Sequence, residues 1–201
     1  MGVSELEFEA DNHIYRLDGK EIPSVSEILR FAFYEVYGTE KKDKAMDRAA
    51  DRGTRIHRSC EEIDRLGATD CDGGILQYVS AYVQFLKDHD VDWKYIEKPI
   101  CNESGMFAGT LDRFGVVDGK TTLLDIKSTK SITGKHKLLY STQLAAYGSC
   151  LSEYIDQFCI LQLKPDGTYK LIKVEPNSAA WCSCLMLHTE FEKTKRKKVS
   201  K

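Results

Sequence analysis

The sequence predicts a mixed α/β fold, a sheet flanked by helices and preceded by an N-terminal helical segment. The order of apolar periodicities points there: helical stripes, three successive strand-like runs, a helix, two more strands and a last helix. Asp118-Gly119, set between two β-rich runs, is a strong two-residue hairpin signal, because a type I′ turn needs positive φ at both central residues. Pro165-Asp166-Gly167 marks a second hairpin between the last two strands.

Taken in order, residues 6–9 and 13–17 read as short strands around the turn pair Asp11-Asn12. Ser24 is placed to cap a helix, with Glu27 completing a capping box and Val25, Ile28, Leu29 and Ala32 at helical spacing. Residues 38–43 read as a polar loop. A longer helix covers about 43–66, its stripe formed by Ala49, Gly53, Ile56, Cys60 and Ile63 beside a basic stripe of Arg48, Arg52 and Arg55. His57 flanks that apolar face, with Glu61 one turn on. A boundary residue paired with Glu61 and a metal ligand are both open readings for it.

The next helix covers about 74–89, with Ile75, Val79, Tyr82, Val83 and Leu86 inward. Strands follow at 93–101, 106–117 and 121–128, then a helix at 136–152 with the stripe Tyr140, Leu144, Tyr147 and Leu151. Strands at 156–164 and 168–175 lead to a last helix with Ala180, Cys184, Leu187 and Phe191 inward. One domain is expected over 1–192, with hairpin and helices in 1–90 and the sheet core in 91–192. The tail 193–201 carries six basic residues in nine and is expected to be disordered, either a weak phosphate contact or a solubilising end.

The chain has 201 residues, 42% hydrophobic and 30% charged, the composition of an ordinary globular domain. No apolar run approaches the ~20 residues a membrane helix needs, and the N-terminus lacks a signal-peptide pattern, so no membrane partner is expected. Seven cysteines at irregular spacing argue against a disulfide framework and suit a reducing, cytoplasmic setting. Net charge is −2, so contact with a polyanion must come from local basic patches.

A two-residue loop at 118–119 places Asp112 directly opposite Asp125, with Cβ atoms roughly 4.5–5.5 Å apart. Strand alternation puts Lys127 on the face of Asp125 and turns Leu124 and Ile126 away. Facing carboxylates repel, so something positive belongs between them: Lys127 itself, as in a plain surface ion pair, or a bound divalent cation.

Four spaced motifs, Gly53-Thr-Arg-Ile-His57, Gly109-Thr-Leu-Asp112, Asp125-Ile-Lys127 and Gln143-Leu-Ala-Ala-Tyr147, together with Ile22-Pro-Ser-Val-Ser-Glu-Ile-Leu29, carry a resemblance. Over residues 13–175 the chain resembles the PD-(D/E)XK nuclease superfamily, in its RecB-type, phage-type exonuclease branch that includes the mitochondrial genome-maintenance exonuclease. The resemblance implies a restriction-endonuclease-like mixed sheet and a metal-dependent DNA exonuclease acting on single strands or duplex ends. Its setting would be recombination, repair or phage replication, with a single-strand annealing protein as one conceivable partner.

In that reading Asp112, Asp125, the Ile126 carbonyl and His57 hold Mg²⁺ or Mn²⁺. Lys127 orients and helps deprotonate the attacking water, and Gln143 and Tyr147 position either substrate or the residues that surround the ion. Glu61 is a candidate to orient His57. No iron–sulphur cluster is expected, because Cys182 and Cys184 lie two apart on a helix and no C-x-x-C exists. Arg48, Arg52, Arg55, Lys130, Lys135 and Lys137 are candidate phosphate contacts or solvated face residues. A nucleic-acid-binding domain that lost cleavage and a structure-specific endonuclease are the rival readings.

Overall fold

Five runs rich in β-branched and aromatic residues form one sheet in the computed structural model, which describes residues 5–10, 12–38, 44–102 and 104–199. The strands are β4 (Val91–Cys101), β5 (Ala108–Val117), β6 (Lys120–Ser128), β7 (Gln157–Leu163) and β8 (Tyr169–Val174), side by side in chain order. All neighbours are antiparallel except β6 and β7, which run parallel. A parallel pair needs a crossover, and α5 (Gly134–Gly148) supplies it. Residues Leu139 to Tyr147 of α5 are all buried, as expected of a helix covered on every side.

The hairpin is the one the sequence predicts. Asp118 and Gly119 take φ of 51° and 73°, and the ladder runs from Val117 opposite Lys120 to Arg113 opposite Leu124.

Helices cover both faces of the sheet. On one face Leu123 and Ile160 pack with α5 and with Val25, Ile28 and Leu29 of the segment made by α1 (Val25–Ile28) and α2 (Arg30–Tyr37). Trp181 and Cys184 of α6 (Ser178–Val199) complete that cluster. On the other face Leu124, Ile126 and Leu161 meet Ile56 and Cys60 of α3 (Lys44–Leu66) and Val79, Tyr82 and Phe85 of α4 (Leu76–Asp88). The Ser24 side chain accepts from the Glu27 N–H, the cap the sequence indicates.

A separate antiparallel sheet of β1 (Leu6–Glu9), β2 (Ile14–Leu17) and β3 (Lys20–Ile22) docks on the start of β5. The Tyr15 hydroxyl bonds Thr110 Oγ1 at 2.8 Å, and Ala108 N–H donates to the Pro23 carbonyl at 3.0 Å.

Several expectations are corrected. β3 was missed, because three residues carry too little alternation to register. Tyr78, Ala81 and Phe85 are buried on α4, while Val83 and Leu86 are only half-buried. On α6 Leu187 and Phe191 face solvent at 45% and 58% exposure, because Trp181 sets which side meets the sheet. Ala49 is exposed, so the stripe of α3 is covered only from Gly53 onward. α6 runs as helix to Val199, into the basic tail, lysine and arginine being good helix formers. Asp11, residues 39–43 of the expected polar loop, and Ser200 and Lys201 lie outside the described residues.

Candidate active site

The β5–β6 ladder stops at Arg113–Leu124, one pair short of the two aspartates. Continuing the register would give the Ile126 N–H to the Leu111 carbonyl. It donates instead to Asp112 Oδ2 at 2.6 Å, so the carboxylate has inserted where a strand bond would lie. Asp112 and Asp125 are thereby held side by side at 8% and 1% exposure. Lys127, on the face of Asp125, places its ammonium 2.9 Å from Oδ1 and 2.8 Å from Oδ2. Only the first contact is directed as a hydrogen bond, and Oδ2 remains a buried acceptor without one.

From α3, His57 reaches this cluster. Its Nε2 lies 3.1 Å from the Ile126 carbonyl, and Nδ1 lies 3.3 Å from Glu97 Oε1 and 3.6 Å from Asp112 Oδ1. His57, Glu97 and Asp112 offer ligand atoms all within 4.8 Å of one another. Glu97 is the residue sequence reasoning missed. It sits inside β4 at φ 44°, a left-handed conformation that costs an ordinary side chain on the order of 1–3 kcal/mol and turns it out of the ladder. Glu61, the expected partner of His57, instead pairs with Arg65 one turn along α3 at 2.8 Å.

Behind Glu97 lies a buried ion network. Arg113, 0% exposed, donates from Nε to Asp64 Oδ2 at 2.6 Å and from a terminal nitrogen to Glu97 Oε1 at 2.8 Å and its neighbour's Asp112 carbonyl at 2.7 Å. The Tyr82 hydroxyl lies 2.8 and 2.7 Å from the two Asp64 oxygens. His57 and Asp64 are two turns apart on one helix, so a single network ties α3 to β4 and β5.

Four carboxylates (Asp64, Glu97, Asp112 and Asp125) thus face Arg113, Lys127 and His57. Burial pushes Asp125 up to about 6, with Lys127 offsetting part of it and Asp112 adding to it. Burial likewise raises Asp112, against the pull of His57. For His57 burial disfavours the charge, but the Asp112 and Glu97 carboxylates outweigh it and hold the imidazole up to about 9. The same contest leaves Lys127 above its ordinary value, since Asp125 and Asp112 overcome its burial.

The donor set fits a divalent cation. A metal-ligating histidine must be neutral. With His57 neutral, four negative charges meet two positive ones, an excess equal to the charge of one divalent ion. Asp125 Oδ2, Asp112, Glu97 and His57 are the donors on hand, and the Ile126 carbonyl, the fourth of the ligands expected from the sequence, is bonded by His57 instead.

Beneath the aspartates Gln143 Nε2 donates to the Tyr147 hydroxyl at 2.9 Å, leaving Gln143 Oε1 buried without a partner. Gly109 lets the Tyr147 ring approach, because a Cβ there would stand 2.6 Å from its Cε1. His57, Asp112, Lys127, Gln143 and Tyr147 line one cavity of about 670 Å³. Of the candidate phosphate contacts, Arg55 is bound to Asp72 and Asp51, and Lys135 reaches the Glu35 carbonyl at 3.4 Å. Arg48, Lys130 and Lys137 are exposed.

No protein-family model and no curated protein matches the chain. Among solved structures it is similar to an alkaline exonuclease (LHK-Exo) from Laribacter hongkongensis, at 14% identity over 73% of this chain and 86% of that one, with a TM-score of 0.37. It is also similar to SSO0001, at 13% identity over 81% and 82% of the two chains, with a TM-score of 0.28. What the site can do is therefore argued from its own geometry. No helix among the described residues is long and apolar enough to cross a membrane.

Proposed function

We propose that the chain is a divalent-metal-dependent deoxyribonuclease that removes nucleotides from the ends of single strands or duplexes. The observation that carries this reading is the convergence of the half-buried Glu97, His57 and Lys127 on the buried Asp112 and Asp125, two negative charges in excess once His57 is neutral. The exonuclease specification rests on the motif resemblance, as do a role in recombination, repair or phage replication and a strand-annealing partner.

Asp112, Asp125, Glu97 and His57 would hold the ion. When bound, it supplies a Lewis acid for the phosphoryl oxygens and lowers the pKa of a water. The nitrogen donor suits Mn²⁺ better than an all-oxygen set would, with Mg²⁺ the oxygen-preferring alternative. Lys127 Nζ stays protonated beside Asp125, so in this arrangement it donates hydrogen bonds and opposes phosphoryl charge instead of accepting a proton. The carboxylates that keep it charged are also cation donors, so its basicity is coupled to cation binding. The unpartnered Gln143 Oε1 is available to orient a water or a terminal hydroxyl.

The test is incubation of linear and circular single-stranded DNA with Mn²⁺ or Mg²⁺. Loss of linear DNA from its ends, with circles intact and EDTA abolishing the activity, is the expected result. Nicked circles would make it an endonuclease, binding without cutting would favour a non-catalytic binding domain, and cleavage in excess EDTA would end the metal reading.

A further inference from the structure

Two cavities meet at His57 and Lys127, and they differ in sign. The one of about 670 Å³ is bordered by Glu61, Glu97 and Asp112. The second, of about 370 Å³, is lined by Phe33, Tyr37, Arg52, Ser128, Thr129 and Tyr140, and among the described residues no carboxylate borders it. An acidic cluster thus lies on one side of Lys127 and a recess lined by Arg52 on the other.

Arg52 is the decisive residue. It forms no ion pair among the described residues, and its Nε is buried without a hydrogen-bond partner, a donor left unsatisfied at appreciable cost. Its guanidinium carbon lies 5.7 Å from the Tyr78 ring centroid, which steadies the head group without neutralising it. Across the recess the Lys127 ammonium stands 5.0 Å from the Tyr140 ring centroid. Phe33 and Tyr37 stack at 5.7 Å and 26°, and the Tyr37 and Tyr140 hydroxyls are hydrogen-bonded. The unpaired Arg52, the Lys127 ammonium that Asp125 shares, two small hydroxyl residues and an aromatic wall match an anion that carries a flat ring. The volume lies near the lower end of the ~300–1,000 Å³ typical of small-molecule pockets, room for one nucleotide but not for a length of duplex.

We infer that this recess is the subsite for the terminal nucleotide of the strand, taking a deoxynucleoside monophosphate with its phosphate toward Arg52 and Lys127 and its base against Tyr37 and Phe33. The inference rests on the nuclease reading and names what the site releases.

Calorimetric titration of the full chain in EDTA with 5′-dAMP, 3′-dAMP, deoxyadenosine and inorganic phosphate tests it. One of the two monophosphates is expected to bind at least tenfold more tightly than deoxyadenosine or phosphate alone. Arg52→Gln should weaken it at least tenfold and Tyr37→Ala severalfold, base stacking being worth roughly 1–3 kcal/mol. Neither residue is a metal ligand, so Mn²⁺ affinity should stay at the wild-type value in both variants. Equal nucleotide binding by Arg52→Gln, or phosphate binding as tight as the nucleotide, would overturn the subsite while leaving the metal reading standing. Wild-type nucleotide binding without any Mn²⁺ binding would overturn the metal reading alone.

Discussion

Replacing Asp125 with asparagine separates catalysis from folding. The side chain is 1% exposed and its pKa is pushed up to about 6 by burial. An acid raised in this way favours the folded state most below the ordinary pKa, near 3.9, and that advantage is lost as pH rises through 6. At pH 8 the ionised carboxylate therefore works against folding by on the order of 3 kcal/mol. Asparagine keeps the shape and removes the charge, so the thermal midpoint of Asp125→Asn in EDTA at pH 8 should not fall below that of the parent. Cleavage should collapse. Cation stabilisation worth several kcal/mol, at about 1.36 kcal/mol per decade, sets the loss at about 10³-fold or more. Single-turnover cleavage of end-labelled DNA with saturating Mn²⁺, beside a melting curve, reads both quantities. Cutting at the parent rate, or a loss of activity fully explained by a lower midpoint, would refute the assignment.

Mn²⁺ affinity should rise about tenfold per pH unit between 6 and 9, because binding must expel the proton that Asp112 and Glu97 hold on His57. Below 6 the Asp125 proton should steepen that slope, and affinity that is flat from pH 6.5 to 8.5 would remove His57 from the donor set. Arg113→Met leaves Asp64 buried without its cation and should cost about 3–5 kcal/mol, a fall in melting midpoint of about 6–20 °C. Adding Asp64→Leu should recover part of that loss, and a double variant that loses the sum of the single effects would contradict the network. Gly109→Ala drives a methyl into Tyr147 and should lower the midpoint by about 2–12 °C, whereas an unchanged melt would show that the ring has room to move.

What the sequence made legible was local. Asp118-Gly119 set the turn, the turn set the register, and strand alternation then brought Lys127 to Asp125. What it hid was long-range. Glu97 looks like any acid in a charged strand, and its role needs both a positive φ and a guanidinium from the neighbouring strand. Its position across from Asp112, bracketed by Ile96–Arg113 and Lys98–Leu111, depends on a β4–β5 connection too long to fix a register. For Glu61 helix spacing allows either His57 or Arg65 as its partner, and only the fold shows that it takes Arg65. On α6 hydrophobicity alone could not rank Leu187 against Trp181; the larger ring took the sheet.

Anomalous scattering from crystals grown with Mn²⁺ tests the central claim most directly. The expected result is a manganese peak between Asp112 and Asp125, about 2.1 Å from an oxygen of each, with His57 turned from the Ile126 carbonyl to face it. Well-ordered carboxylates with no peak between them, and His57 still on that carbonyl, would contradict it.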